Sequence, residues 1–539
     1  MTAKEKRPRV HWWRGAVIYQ VYLRSFADSD GDGIGDLRGL LGKLDYIAEL
    51  GVDAIWICPF FTSPMKDFGY DVSDYRAVDP LFGTLGDFDA VVAKAHKLGL
   101  KVFIDQVLSH SSDEHPWFKE SRKDRTNPKA DWYVWADAKR DGSPPNNWLS
   151  VFGGSSWAWE PRRRQYYLHN FLSGQPDLNF HNRAVRDALL DVLRFWLERG
   201  VDGFRLDAFN YGCHDPNLRD NPPAQPEGVF TPGLNPYEFQ EHKYDKTQPE
   251  LLEVMREMRA LFDQYCDIAT LGEVGAHEAT NAVIAQYTSG GDKLDMCYGG
   301  DLQACGADAA AIRRAVEGFE AQGKGWICGA FGNHDAPRVA TRFKAPAGDQ
   351  RIGPLTVALL TSLRGSACLY QGEELSLADA DLPFEELQDP FGIAFYPDMS
   401  SRDNCRTPHP WTAAAKVGFT RGKPWLTPPT AHRRLSVAVQ ARDPKSGLNR
   451  VRAFLRWRKS HPALIEGAIA FLDAPAPCLA FVRTQGGEKI VCAFNLSPKR
   501  ASFELPASAR ALAGHGMGGR IKGRQVILPG YGAFFGAGD

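Results

Sequence analysis

The sequence predicts an α/β protein whose core is a (β/α)8 TIM barrel, and two observations carry that expectation. Eight strand-like runs alternate with amphipathic helical patterns, and no glycine-rich phosphate loop follows the first run. Alternation of this kind builds a sheet of parallel strands. The missing phosphate loop favours a closed barrel over an open, dinucleotide-binding sheet.

The first run, 17–22, leads into Leu37, Leu40, Leu41, Leu44 and Ile47, which share one helical face that stops at Gly51. After the second run, 54–59, the same design recurs with Phe88, Val91, Val92, Ala95 and Leu98, ending at Gly99. Between the third run, 101–107, and the fourth, 203–207, lies an insertion of about 111–180, then Val185, Leu189, Val192, Leu193 and Trp196, ending at Gly200. The remaining runs are 269–274, 294–298, 327–333 and 367–371. The insertion holds twelve aromatics from Trp117 to Phe171, including Trp132, Trp135, Trp148, Trp157 and Trp159. Most are expected to form the core of a small subdomain, with one or two left facing a cleft. A second insertion, about 376–430, follows the eighth run and is rich in Pro and Asp. The barrel is therefore expected in two parts, 1–110 and 181–465, around the 111–180 subdomain. From about 466 to 539 short runs at 468–472, 478–484, 489–495 and 525–528 alternate with Gly/Pro turns, predicting a C-terminal antiparallel β-sandwich.

Bulk composition excludes several classes. The 64 Lys+Arg and 65 Asp+Glu nearly cancel, so neither a nucleic acid nor an anionic membrane is an expected partner. Ten cysteines are dispersed without a C-x-x-C pair and read as small buried hydrophobes in a reducing compartment. The basic N-terminus leads into an apolar stretch, 15–23, that Gln20 and Arg24 break, a strand and not a signal peptide. The best membrane-span candidate, 353–370, contains Arg364. A cytoplasmic protein is expected.

In a barrel, chemistry sits at the C-terminal ends of the strands. Four ends here carry charge: Asp105 and His110, Arg205 and Asp207, Glu273, and His334 with Asp335. One such residue alone is more often a cap or a loop organiser; four ends converging in one fold single out a site. Arg205 and Asp207 are two apart and share a face. An Arg beside it would keep Asp207 ionised, as a nucleophile must be. Glu273, after apolar residues and Gly272 on the neighbouring strand, is expected in a drier setting that keeps its proton for a leaving oxygen. Neighbouring strands lie about 4.8 Å apart, which suits the roughly 5–5.5 Å carboxylate separation of retaining glycosidases. Asp335 adds a third carboxylate, and His110 and His334 add donors for hydroxyls. Separately, Asp28-Ser-Asp-Gly-Asp-Gly-Ile-Gly-Asp36 alternates Asp with Gly, so a tight loop could gather oxygens around a hard cation. It is not an EF-hand, because Gly39 stands where the bidentate Glu is required; an unmetallated Asp/Gly turn is the alternative.

These residues bring a family into view. The chain resembles the α-amylase superfamily, in the branch containing α-glucosidases and oligo-1,6-glucosidases. The resemblance runs through nearly the whole sequence, in motif order: Gly-Val-Asp-Ala-Ile-Trp-Ile-Cys-Pro at 51–59, Asp-Phe-Gly-Tyr-Asp-Val-Ser-Asp-Tyr at 67–75, 105–110, Gln-Pro-Asp-Leu-Asn at 175–179, 203–207, Glu273, 333–335, 365–374 and Ser-Arg-Asp-Asn-Cys-Arg-Thr-Pro at 401–408. It implies Asp207 as nucleophile, Glu273 as general acid/base, and Asp335 as the carboxylate that fixes the 2- and 3-hydroxyls. It places Asp67, Tyr70, His110, Arg205, His334 and Arg402 around the non-reducing glucose. Ser109 departs from the Asn of many relatives and puts the local hydrogen bonding in question. The resemblance also implies a structural Ca2+, sometimes Mg2+, on Asp28, Asp30, Asp32, the Ile34 carbonyl and Asp36, and no organic cofactor.

The implied activity is a retaining, exo-acting α-glucosidase with a covalent glucosyl-enzyme intermediate and accompanying transglucosylation. The 175–179 motif resembles that of exo-acting members. Ala208 follows the nucleophile where relatives selective for α-1,6 links tend to have Val, which points to maltose-type α-1,4 links, sucrose or other short α-glucosides. A single side chain decides only about 1–3 kcal/mol of such a preference. Alternatives on the same scaffold are an α-glucosyl transferase or isomerase and an oligo-1,6-glucosidase. A non-catalytic relative would show a membrane helix and eroded carboxylates, and a metal-dependent hydrolase would use His110 and His334. The expected partner is a small α-glucoside, and the expected assembly a monomer or weak homodimer.

Overall fold

The computed structural model describes residues 11–225, 234–275 and 279–538; the basic first ten residues lie outside them. Eight parallel strands form the core: β1 Val17–Val21, β2 Ala54–Ile57, β3 Lys101–Val107, β4 Gly203–Asp207, β5 Ala269–Glu273, β6 Met296–Tyr298, β7 Cys328–Ala330 and β8 Ser366–Tyr370. They pair in the order β6-β5-β4-β3-β2-β1-β8-β7, and a bridge between Cys297 and Ile327 joins β6 to β7 and closes the ring. One long helix follows each strand: α1 Leu37–Leu50, α2 Leu85–Lys97, α3 Arg183–Glu198, α4 Leu251–Phe262, α5 Thr280–Thr288, α6 Ala309–Glu320, α7 Ile352–Ser362 and α8 Gly447–Arg458. This is the predicted barrel.

Local chemistry sets the helix ends. Asp36 caps α1 through the Gly39 N–H, and Gly51 at φ 90° stops it. Thr84 and Asp87 form a capping box on α2. Helix α7 is buried along its whole length, which explains the long apolar run at 353–370: a core helix followed by β8. Among the described residues no helix is long and apolar enough to cross a membrane.

Five strands are shorter than predicted: β1, β2 and β5 stop one or two residues early, and β6 and β7 are cut back as well. Strand β6 begins at Met296 and not at 294, and β7 ends at Ala330 and not at 333. The reason at β7 is an Asx turn, in which Asn333 accepts the Asp335 N–H at 2.9 Å and folds the chain away from the ladder. His334 and Asp335 therefore stand beyond the strand end.

Side chains fill the barrel, among them Ile18, Trp56, Phe103, Leu271, Met296 and Tyr370. Trp13 and Trp326, 6.1 Å apart, plug the end from which β1 and β7 start. The ring can thus open only at its C-terminal rim. The first insertion folds as a three-stranded antiparallel sheet over Trp148, Trp157 and Leu168. The second is mostly short turns. It is tied to the Asp-rich loop after β1, where Thr420 donates to Asp28 and the Trp425 N–H to the Gly33 carbonyl.

The C-terminal strands form a five-stranded and a three-stranded sheet, antiparallel throughout. Arg483 welds them to the barrel: it is buried and binds the main-chain carbonyls of Ser362 and Leu363 at 2.5 and 2.7 Å, next to Arg458 of α8, which is also buried and ties the Thr361 and Gly15 carbonyls together within the barrel at 2.6 and 2.9 Å. All ten cysteines are free and nine are buried, the small-hydrophobe role read from the sequence. Arg483→Met would strand the Ser362 and Leu363 carbonyls without donors, so denaturant unfolding is expected to show a loss of about 3 kcal/mol. A loss below about 0.5 kcal/mol, the range of neutral surface changes, would show that this contact does not hold the domain.

Candidate active site

Strands β3, β4 and β5 run side by side with Asp105 and Leu271 level with Arg205. Asp207 and Glu273 follow two residues later on the same inward faces, at adjacent strand ends. Arg205 is fully buried beneath them and holds the set together. Its Nη1 donates to Asp105 and Asp207, both at 2.7 Å, and its Nη2 to Glu273 at 2.5 Å and the Tyr298 hydroxyl at 2.7 Å. The guanidinium also lies 4.8 Å from the Trp56 ring centroid. Ala208 turns into the left-handed region at φ 40°, and its N–H donates to the same Glu273 oxygen at 3.1 Å.

The separate environments expected for the two acids are not found. One guanidinium serves both, and the Glu273 side chain is the more exposed, 27% against 13% for Asp207. Burial pushes the Asp207 carboxyl well above the ordinary carboxylate value; Arg205 opposes this, and Glu273, Asp105 and Asp335 push it further up. Burial likewise raises Asp105, against Arg205, to about 6. Asp105 and Asp207, buried and facing one cation, thus both tend to retain a proton.

Asp335 is set apart. Burial would raise its carboxyl, but His334, Arg402 and Arg406 outweigh burial and hold it well below the ordinary range. Arg406 donates to it at 2.6 Å and Arg402 at 3.1 Å. Burial pushes His334 down to about 3 and His110 to about 4, so both are neutral imidazoles at neutral pH. His334 is wedged between Gln20 at 2.7 Å and the Tyr70 hydroxyl at 2.5 Å. A two-stranded hairpin, Phe61–Thr62 with Asp74–Val78, delivers Asp67 and Tyr70. Buried Asp71 shapes its tip by accepting the N–H groups of Lys66 and Asp67 and the Ser63 hydroxyl. Across the opening, Arg402 reaches Asp67 at 2.9 Å and Asp389 at 2.6 Å. Gln175 bonds Asp67 at 3.1 Å and lies 3.3 Å from His110 Nε2; Ser109, the departure from the family pattern, bonds the other ring nitrogen at 3.0 Å.

These groups surround a cavity of about 710 Å3. Asp67, Tyr70, His110, Asp207, Glu273, Asp335 and Arg402 line it. Arg205 and His334, expected to line it too, lie wholly buried under its floor and act through Asp207, Glu273 and Tyr70. Sequence reasoning assigned no role to Asp389, Arg406, Gln175 or Tyr298. Arg406 and Gln175 sit inside motifs already singled out, whereas nothing in the sequence marks Asp389. Of the aromatics of the first insertion, Phe152 and Phe171 line the cavity; Trp148 and Trp157 are core, and Trp159 faces outward.

In the loop after β1, carboxylate oxygens of Asp28, Asp30 and Asp36 come within 4.8 Å of one another. Asp32 stands outside that trio and accepts the Ile34 N–H at 2.8 Å. Gly33, at φ 100°, sits so close to the Lys423 carbonyl that a Cβ would lie 1.9 Å from its oxygen.

Comparison with known proteins agrees with this architecture. The alpha amylase catalytic domain model matches residues 20–467. A probable alpha-glucosidase of Rhizobium meliloti (strain 1021) is 53% identical, over 99% of this chain and 98% of its own. An oligo-1,6-glucosidase of Parageobacillus thermoglucosidasius is 35% identical, over 92% of each. Among solved structures, the alpha-glucosyl transfer enzyme XgtA superposes with a TM-score of 0.95 at 54% identity, covering 98% of this chain and 100% of that one. The trehalulose synthase MutB of Pseudomonas mesoacidophila MX-45 gives 0.90 at 33%, covering 99% and 100%. Since the family match takes in all of the ring but the first residues of β1, both insertions and every residue around the cavity, the chain is an enzyme of the α-amylase family.

Proposed function

We propose that this enzyme is a retaining, exo-acting α-glucosidase that cleaves terminal α-glucosidic bonds of short substrates. The observation that carries the reading is the single buried guanidinium of Arg205 holding Asp207 and Glu273 at adjacent strand ends of one cavity. That spacing suits a nucleophile and an acid/base on opposite faces of one anomeric carbon. Among the described residues, no hydrogen bond within the chain engages Oδ2 of Asp207 or Oε1 of Glu273.

In this mechanism Oδ2 of Asp207 attacks the anomeric carbon. The bond from that carbon to the glycosidic oxygen breaks with its electron pair, and Glu273, as general acid, gives a proton to the departing oxygen. Glu273 then takes a proton from water, which displaces Asp207 and restores the α configuration. Asp335, held anionic, receives the ring hydroxyls. The ion network in which Arg402 spans Asp67, Asp389 and Asp335 bars an extended chain from passing through, which supports the exo reading. Ala208 lines the cavity with a small side chain, which supports α-1,4 links. A second reading, glucosyl transfer to a sugar or alcohol, is favoured by the solved structure named for that reaction; exclusive release of free glucose at high acceptor concentration would exclude it.

Asp207→Asn and Glu273→Gln are each expected to lower kcat by about 10³-fold or more, and the first-formed product should be the α anomer by NMR. Near-normal rates in either variant, or a β product, would refute the assignment.

We also propose that Asp28, Asp30 and Asp36 hold a structural Ca2+ or Mg2+. The fit is one of chemistry, three carboxylates converging on a glycine-bearing loop. Such an ion would neutralise the loop and brace it against the Thr420 and Trp425 contacts. Chelation should then lower the thermal midpoint by several degrees, as loss of a ligand specific to the folded state does, and added Ca2+ should restore it. An unchanged melting curve would leave the loop as a metal-free turn.

A further inference from the structure

On the side of the cavity shared by β4 and β5 stands a set of buried polar groups that the chemistry above does not use. Tyr211, four residues beyond Asp207, lines the cavity. Its hydroxyl lies 2.6 Å from that of Tyr237, and Lys246 Nζ donates to both, at 3.2 and 2.8 Å. Lys246 is only 3% exposed, and among the described residues no carboxylate lies within ion-pair distance of it. A buried ammonium is costly unless it is hydrogen-bonded. An apolar chain of that length would pack the same space without that cost, so packing alone does not account for the lysine.

The phenols resolve it by a count of hydrogens. Each hydroxyl has one hydrogen to give and two lone pairs to receive. The lysine donates to both oxygens, so only one O–H is needed for the bond between them. Tyr237 is buried: its ring stacks 3.6 Å from His242, and Asn235 caps its amide while also bonding the Val151 carbonyl in the cavity wall. Were its hydrogen not given to Tyr211, it would be stranded. Tyr237 therefore donates to Tyr211, and the Tyr211 O–H is left for a ligand in the cavity.

Its position says which part of the ligand. Asn210, beside it, bonds the carbonyl of Gly275, two residues past Glu273, while the Ala208 N–H bonds Glu273 itself. Tyr211 thus stands on the flank of the cavity that carries the acid which protonates the leaving oxygen, its ring 5.1 Å from that of Phe171 in the cavity wall. We propose that Lys246 is a positioning residue: through the two phenols it aims the Tyr211 hydroxyl at the aglycone, selecting leaving groups and acceptors that carry a hydroxyl to receive it, such as the reducing-end sugar of a disaccharide. This rests on the α-glucosidase reading.

The test compares kcat/KM for maltose, whose leaving group is a sugar, with p-nitrophenyl α-glucoside, whose leaving group carries no hydroxyl beyond the scissile oxygen. Tyr211→Phe is expected to lower the maltose-to-aryl ratio about fivefold, the worth of one hydrogen bond, through KM more than kcat. Lys246→Met should lower the ratio in the same direction, and the double variant should fall no further than Tyr211→Phe alone. An unchanged ratio in Tyr211→Phe would overturn the inference, as would equal losses on both substrates in Lys246→Met. A wild-type enzyme that cleaves neither substrate would instead count against the α-glucosidase reading.

Discussion

Arg205 is the residue around which the site is built, and its burial is what gives it that power. A guanidinium at a strand end open to water would neutralise one neighbour weakly. Sealed under the floor between Trp56 and Tyr298, it meets three carboxyls in a low-dielectric setting where each charge is felt strongly. The acids do not each have a private environment; they compete for one cation. Exchange of roles between protonated and ionised carboxyl, which a two-step displacement requires, then needs little movement of the chain, because the donor fork already faces both groups.

A second cation divides the labour. Arg402 comes from the insertion after β8, far along the chain from the acids, and is itself fixed by Asp389, a buried carboxylate that caps the short helix Pro390–Ala394. Together with Arg406 it keeps Asp335 charged while the Arg205 cluster holds a proton. Two carboxyls in one cavity are thereby driven in opposite directions, the condition under which neighbouring acids take different tasks. Barrel strands provide the reacting pair, and the insertions provide the groups that recognise what is to react.

That division also explains what could be read from the sequence. The ring, its helices and the strand-end acids were legible because period and spacing encode them locally: Arg205 and Asp207 two apart on a strand can only share a face. Asp67, His110 and Arg402 were legible through motifs. Asp389 was not, because its role depends on a fold-back of an irregular segment that no periodicity describes. The environments of Asp207 and Glu273 were misread for a related reason. Proximity along β4 pointed Arg205 at Asp207, whereas the fork reaches equally across to β5, and only the register between strands reveals that. The aromatic-rich insertion was read correctly as mostly core, but Phe152 and Phe171, not its tryptophans, face the cavity.

The groups on the aglycone side follow a different logic from those that perform the chemistry. Around Arg205 and Arg402 every charge has a counter-charge within hydrogen-bond reach, and a change to one alters the protonation of the others. Around Lys246, among the described residues, no carboxylate lies within ion-pair distance and neutral phenols take its place, so a substitution there alters hydrogen-bond direction without disturbing the acids. A scaffold arranged in this way can change which group it releases or accepts while leaving the displacement at the anomeric carbon intact. That is a physical reason why one barrel can belong among relatives named for hydrolysis and for glucosyl transfer alike.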